Sequence, residues 1–178
     1  MTPISDHFER IVVPVDFQPA SDEVVEAGNA IEIGNHQLEF APASVRAVRL
    51  AATLARAGGG RILMVHATPP MQYSAMYTGP VSVPSQVIDE IHSRARDTSV
   101  AALDLLTREY CEGLSVEYAV RPGVALNVVL EEAERYAADL IVMAASGRSR
   151  VARFFVGSTA DRVIRQAACP VLVIPAGS

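Results

Sequence analysis

DLIVMAASGRSRVARFFVGSTADRVIRQAACPVLVIP, residues 139–175, decides how the whole chain is read. Leu140–Ala144 is an aliphatic run of strand length, the pattern of a strand covered on both faces. Small residues follow at Ala144, Ala145, Ser146 and Gly147, where backbone can approach a ligand closely. Gly157-Ser158-Thr159 then opens a helix predicted over Ser158–Ala167, and a second aliphatic strand is predicted at Val171–Ile174. The first amides of a helix lack intrahelical partners, and with the helix dipole they form a site for anions. Ser158 reads as the N-cap, because a hydroxyl there accepts from a backbone amide two or three residues on. Strand, small-residue turn, helix and strand make one unit of a parallel α/β sheet.

Working outward, further strands are predicted at Arg10–Val15, Arg61–Ala67 and Leu114–Val120, and helices at Ala43–Ala57, Pro84–Glu112 and Ala125–Ala137. Alternation of this kind predicts right-handed βαβ crossovers and helices on both faces. Five strands suggest the flavodoxin-like order 3-2-1-4-5. A chain of 178 residues is expected to form one domain, 1–178. Two segments interrupt the alternation. Residues 22–42 contain Ile31, Ile33, Leu38 and Phe40 at alternate positions around Gly34-Asn35, the signature of an inserted β-hairpin after the first strand. A flap, a dimer clasp and a surface decoration are all consistent with it. Residues 68–84 hold five prolines and glycines among Met71, Tyr73, Met76 and Tyr77, and read as a long proline-rich loop.

Composition narrows the function. The chain is 50% hydrophobic, which suits strands buried on both faces, and its net charge of −5 with 6% aromatics argues against a nucleic-acid partner. Apolar runs stay far below the ~20 residues of a membrane span, and the first ten residues lack the apolar core of a leader. A cytoplasmic protein with no membrane partner is the expectation. Cys111 and Cys169 read as free thiols. His7, His36, His66 and His92 are scattered without ligand spacing, so no metal site is expected from them. His66, at the end of the second strand, reads as a structural residue. A Walker P-loop and a Gly-x-Gly-x-x-Gly turn after the first strand are both absent.

Two features add weight to the phosphate reading. The first strand ends Val13-Pro14-Val15-Asp16, placing a carboxylate at the carboxyl edge of a central strand, where ligands of open α/β sheets bind. Asp16 suits a ribose hydroxyl or a base amine, and equally an Asx turn or a helix cap. Arg148, Arg150 and Arg153 suit phosphate oxygens, or simply solvent.

These residues together resemble the universal stress protein family, whose nucleotide-binding members carry Gly-x2-Gly-x9-Gly-Ser/Thr. Here Gly147 is followed by nine residues and then Gly157-Ser158, and RIVVPVDF, ILMVHATP, VRPGVALNVVLEEA and CPVLVIP agree elsewhere. The resemblance implies a flavodoxin-like domain of the adenine nucleotide alpha hydrolase-like type, dimeric through Val171–Ile174, that binds ATP or AMP above the first and fourth strands. Mg is admitted as a companion of the phosphates. Carried over by position, Pro14, Val15 and Asp16 line base and ribose, and Ala67 touches the adenine. Met143 and Ala144 back the sugar, while Gly147, Gly157, Ser158 and Thr159 hold phosphates, with Arg148 beside them. Ala144 stands where the family has its first motif glycine, and Ala145-Ser146 where it has Thr/Ser-His. The implied role is nucleotide-dependent regulation or stress response, with slow ATP hydrolysis at most. The alternative is a nucleotide-free interaction module of the same fold. An adenylate-forming enzyme is a weaker third reading, because Phe17-Gln18-Pro19-Ala20-Ser21 lacks the Gly/Ser-rich turn of such enzymes.

Overall fold

A computed structural model describes residues 8–69, 85–145 and 157–175. Its main sheet is built from β1 (Arg10–Pro14), β5 (Arg61–Thr68), β6 (Val116–Pro122), β7 (Leu140–Ala144) and β8 (Val171–Ile174), in the spatial order β6-β5-β1-β7-β8. Every pairing in it is parallel. Numbered by appearance within this sheet, the order is 3-2-1-4-5, as expected for a flavodoxin-like fold.

Period-two alternation along the strands sorts side chains to two faces. Ile11 and Val13 of β1, Ile62 and Met64 of β5 and Val142 of β7 face one layer, formed by α2 (Pro42–Gly58) and α3 (Ser85–Tyr110). Val12, Leu63, Val65, Ile141 and Met143 face the other, formed by α4 (Ala125–Arg135) and α5 (Ser158–Gln166). Ile11, Val12, Val13, Met64, Ile141 and Val142 are fully buried, so β1 and its neighbours must be apolar on both sides. The helix α2 lies on the sheet through Ala43, Ala47, Ala51 and Ala55, whose small side chains repeat every four residues and allow close approach.

Boundaries differ from the sequence-based expectations in instructive ways. The third main strand runs Val116–Pro122 and not Leu114–Val120, and Val15 lies just past the end of β1, although its amide still bonds the Val65 carbonyl at 2.9 Å. Thr68, assigned to the proline-rich loop from sequence, belongs to β5, and residues 70–84 of that loop lie outside the described residues.

The insertion is larger than a hairpin. The expected pair is present as β3 (Ile31–Ile33) and β4 (His36–Phe40), antiparallel, with Ile33 opposite His36 across Gly34-Asn35. Gly34 has φ of 58°, which a glycine supplies without steric cost in a two-residue turn. A third strand, β2 (Phe17–Pro19), pairs with the other side of β4, and α1 (Asp22–Glu26) connects β2 to β3. The result is a small antiparallel sheet, β2-β4-β3, rooted directly in the residue after Asp16.

Candidate functional site

A cleft of about 390 Å³ opens at the carboxyl edge of the main sheet, where β1, β5 and β7 end and the first turns of α4 and α5 begin. Pro14, Val15, Asp16, Ala67, Met143, Ala144, Gly157, Ser158 and Thr159, all expected from sequence, line this one space. Parallel strands deliver their ends to a common edge, which is why residues from four distant stretches meet. Gly147 and Arg148, with Arg150 and Arg153, lie outside the described residues.

At the helix end of the cleft, Gly157 and not Ser158 is the N-cap, with φ −56° and ψ 152°. Ser158 is the first helical residue, so its hydroxyl does not cap, which corrects the expectation from sequence. The first intrahelical bond of α5 runs from the Asp161 amide to the Gly157 carbonyl at 2.9 Å, and the Gly157 amide donates to the Ala145 carbonyl at 2.5 Å. The amides of Ser158, Thr159 and Ala160 therefore precede the helical ladder and sit at the positive end of the dipole.

At the opposite end the Val15-Asp16 peptide is fixed on every side. Val15 donates its amide to the Val65 carbonyl at 2.9 Å, and its carbonyl accepts from His66 Nδ1 at 2.9 Å. A carbonyl can only accept, so His66 Nδ1 is the donor in this bond. The Asp16 amide donates to the hydroxyl of Ser44, a fully buried residue in the first turn of α2, at 3.2 Å, and the Asp16 carbonyl accepts from the Ala41 amide at 3.3 Å. His66 is itself buried and its ring stacks on Phe17, centroids 3.9 Å apart and planes within 15°. Phe17 in turn meets Phe40 edge to face at 5.6 Å, across the β2–β4 pair.

Sequence reasoning missed Ser44, Val65, His66, Ala125, Val129, Ala145 and Ala160 as lining residues; His66, read from sequence as structural, also braces Val15. The first turn of α4 carries no charged or Gly-rich signal, and Ser44 looks like any small residue near a helix start. Away from the cleft, buried Glu132 accepts from Arg121 at 2.9 Å and Arg135 at 2.8 Å, an ion-pair cluster that joins β6 to α4. Burial pushes the thiols of Cys111 and Cys169 up, and both are free. Among the described residues no group of three His, Cys, Asp or Glu side chains could hold a metal, and no helix is long and apolar enough to cross a membrane.

A family model described as "Universal stress protein family" matches residues 38–175. A universal stress protein of Methanocaldococcus jannaschii is 34% identical over 89 residues, covering 50% of this chain and 51% of that protein, so the match spans about half of that relative. A universal stress protein of Thermus aquaticus is 30% identical over 129 residues, covering 72% of this chain and 88% of that one. Among solved structures, an Arabidopsis thaliana universal stress protein family protein with AMP bound superposes with TM-score 0.57 at 16% identity, covering 96% and 93% of the two chains. A universal stress protein in complex with cAMP gives TM-score 0.51 at 20% identity, covering 97% and 100%.

Proposed function

Because the chain belongs to the universal stress protein family, we propose that its cleft binds an adenine nucleotide, AMP or ATP, as a regulatory ligand. The observation that carries this reading is the meeting, in one space of about 390 Å³, of the three leading amides of α5 with the Asp16 carboxylate. That volume falls within the 300–1,000 Å³ typical of small-molecule sites. In the proposed complex the Ser158, Thr159 and Ala160 amides bind a phosphate, and Asp16 accepts from a ribose hydroxyl. Pro14, Val15, Ala67 and Met143 give apolar surface to the base, and Ala144 lies under the sugar. Gly147 and Arg148 join the phosphate end on the strength of the motif spacing alone. Mg, where present, would ride on the phosphates of ATP. Adenine nucleotides in the AMP-bound and cAMP-bound neighbours support the ligand class.

The nucleotide-free alternative is favoured if Ala144 and the insertion fill the cleft. Ala144 lines an open space, and among the described lining residues none comes from β2, β3 or β4. Nucleotide binding is therefore the better-supported reading. A thermal-shift titration tests it. Ligand at 100 times its Kd adds about 2.7 kcal/mol to stability, which at about 2–4 °C per kcal/mol for a chain of this size raises Tm by about 5–11 °C. No shift with AMP or ATP at millimolar concentration refutes the proposal. Gly157→Val places a branched side chain at the phosphate end and should abolish the shift. Phosphate release by wild type no faster than by Gly157→Val would assign the site to binding and not to turnover.

Dimerisation through β8 is part of the same proposal. Among the described residues β8 closes one side of the sheet and pairs only with β7, and all four of its side chains are half-buried, leaving an apolar edge that a second copy can cover. Sedimentation of wild type and Leu172→Lys tests this; equal masses overturn it.

A further inference from the structure

We propose that the inserted sheet and the cleft form one cooperative unit, with Phe17 as the positioning residue that joins them. The inference rests on the nucleotide reading of the cleft and goes beyond it by giving the insertion a role. A continuous set of contacts runs from Phe40 through Phe17 to His66 and on to the Val15 carbonyl, which adjoins the Asp16 proposed to meet the ribose. The same dipeptide is tied to the far end of the insertion, because Ala41, directly after β4, donates its amide to the Asp16 carbonyl. Asp16 thus lies between the two points where the insertion leaves and rejoins the core. The insertion itself does not touch the ligand space, since no described residue of β2, β3 or β4 lines the cleft, whereas Val15, Asp16 and His66 do. The insertion acts through His66 and the backbone of residues 15–16.

Such an arrangement makes the order of the insertion and the placement of Asp16 mutually dependent. If a nucleotide engages Asp16, it favours the conformers in which Val15, His66 and Phe17 are stacked and bonded, and so favours the closed β2-β4-β3 sheet. By linkage, a chain with an ordered insertion binds nucleotide more tightly by the same factor, and couplings of this kind typically amount to about 5–150-fold. A surface decoration would carry no such dependence.

Hydrogen exchange of the amides in residues 31–40, with and without saturating AMP, tests the proposal in wild type, Phe17→Leu and Phe17→Tyr. AMP should slow exchange in wild type by about fivefold or more. Phe17→Leu keeps apolar bulk but loses the flat ring; its AMP affinity should fall by about fivefold, and the AMP-dependent slowing should vanish. Phe17→Tyr, which retains the ring, should keep both. Because the slowing is compared within each variant, a general loss of stability does not imitate the effect, and the wild-type comparison stands even if Phe17→Leu fails to fold. AMP binding with unchanged exchange at residues 31–40 overturns the inference and leaves the nucleotide site standing. Wild type that shows no thermal shift with AMP overturns both.

Discussion

Replacing Ser158 by proline removes a single backbone donor from the phosphate end of the cleft while leaving the helix intact. Proline is accepted at the first helical position, where its ring matches the required φ of about −65° and its missing amide breaks no helical bond. It also demands an extended residue before it, and Gly157 already has φ −56° and ψ 152°. The helical ladder begins at Asp161, so it is untouched. Ser158→Ala is the matched control, because it deletes the hydroxyl and keeps the amide. A hydrogen bond to a charged group contributes about 1.5–3 kcal/mol, and about 1.4 kcal/mol is tenfold in Kd. Ser158→Pro should therefore bind AMP about 10–150-fold more weakly than Ser158→Ala, by calorimetric titration, with the Tm of the free proteins nearly equal. Adenosine, which lacks the phosphate, should bind both variants alike. Equal AMP affinity for the two would refute the assignment of the α5 amides to the phosphate. A parallel loss of adenosine binding would show that the proline acts by distorting the cleft.

Other consequences follow from the same structure. Ala144→Gly removes the methyl that stands under the proposed sugar, so AMP should bind more tightly, at a cost of about 0.5–1 kcal/mol in the free protein's stability from added backbone freedom; weaker AMP binding would place the sugar elsewhere. Ile141 is fully buried in the middle of β7, and Ile141→Ala should cost about 2–5 kcal/mol in urea unfolding, whereas a loss below 1 kcal/mol would mean that β7 is not packed on both faces. Burial is the main cause that raises the Cys111 thiol, opposed by the Arg56 charge. A group whose pKa is higher folded than unfolded contributes stability that is complete below the unfolded value and is lost as pH rises. Stability should therefore fall above pH ~8.5, the ordinary thiol range, and fall less in Cys111→Val; identical alkaline profiles would remove Cys111 as a cause.

How much of this was legible in sequence depended on whether a residue's partner lay nearby in the chain. The central strands could be read because burial on both faces demands unbroken aliphatic runs, as in Ile11-Val12-Val13 and Leu140-Ile141-Val142-Met143. The edge strand β6 has one less-covered face, so Glu117 and Arg121 alternate with Val116, Tyr118 and Val120, and the aliphatic signal that marked the other strands slid its predicted bounds two residues too early. The nine cleft residues foreseen from sequence were found because parallel strands and the helices after them converge on one edge by rule. Ser44 and His66 were not foreseen in their roles because both act on backbone atoms 28 and 51 residues away.

The insertion shows the same limit more sharply. β3 and β4 announce themselves through alternation around Gly34-Asn35, but β2 is three residues long and ends in Pro19, which ordinarily speaks against a strand. Pro19 is tolerated because, among the described residues, β2 is an edge strand of its small sheet, with β4 on one side only. Phe17, directly after the carboxylate, therefore reads as the start of an ordinary loop. Its meaning depends on a register that sets it opposite Phe40 and a stacking that sets it on His66. In this stretch the residues with a ligand role implied by the sequence end at Asp16. The physical site continues past it, because an acidic side chain is useful to a ligand only when its backbone is held. In this chain that hold is shared among β5, Ser44 of α2 and the insertion, which is why the proposed coupling places the insertion and Asp16 in one unit.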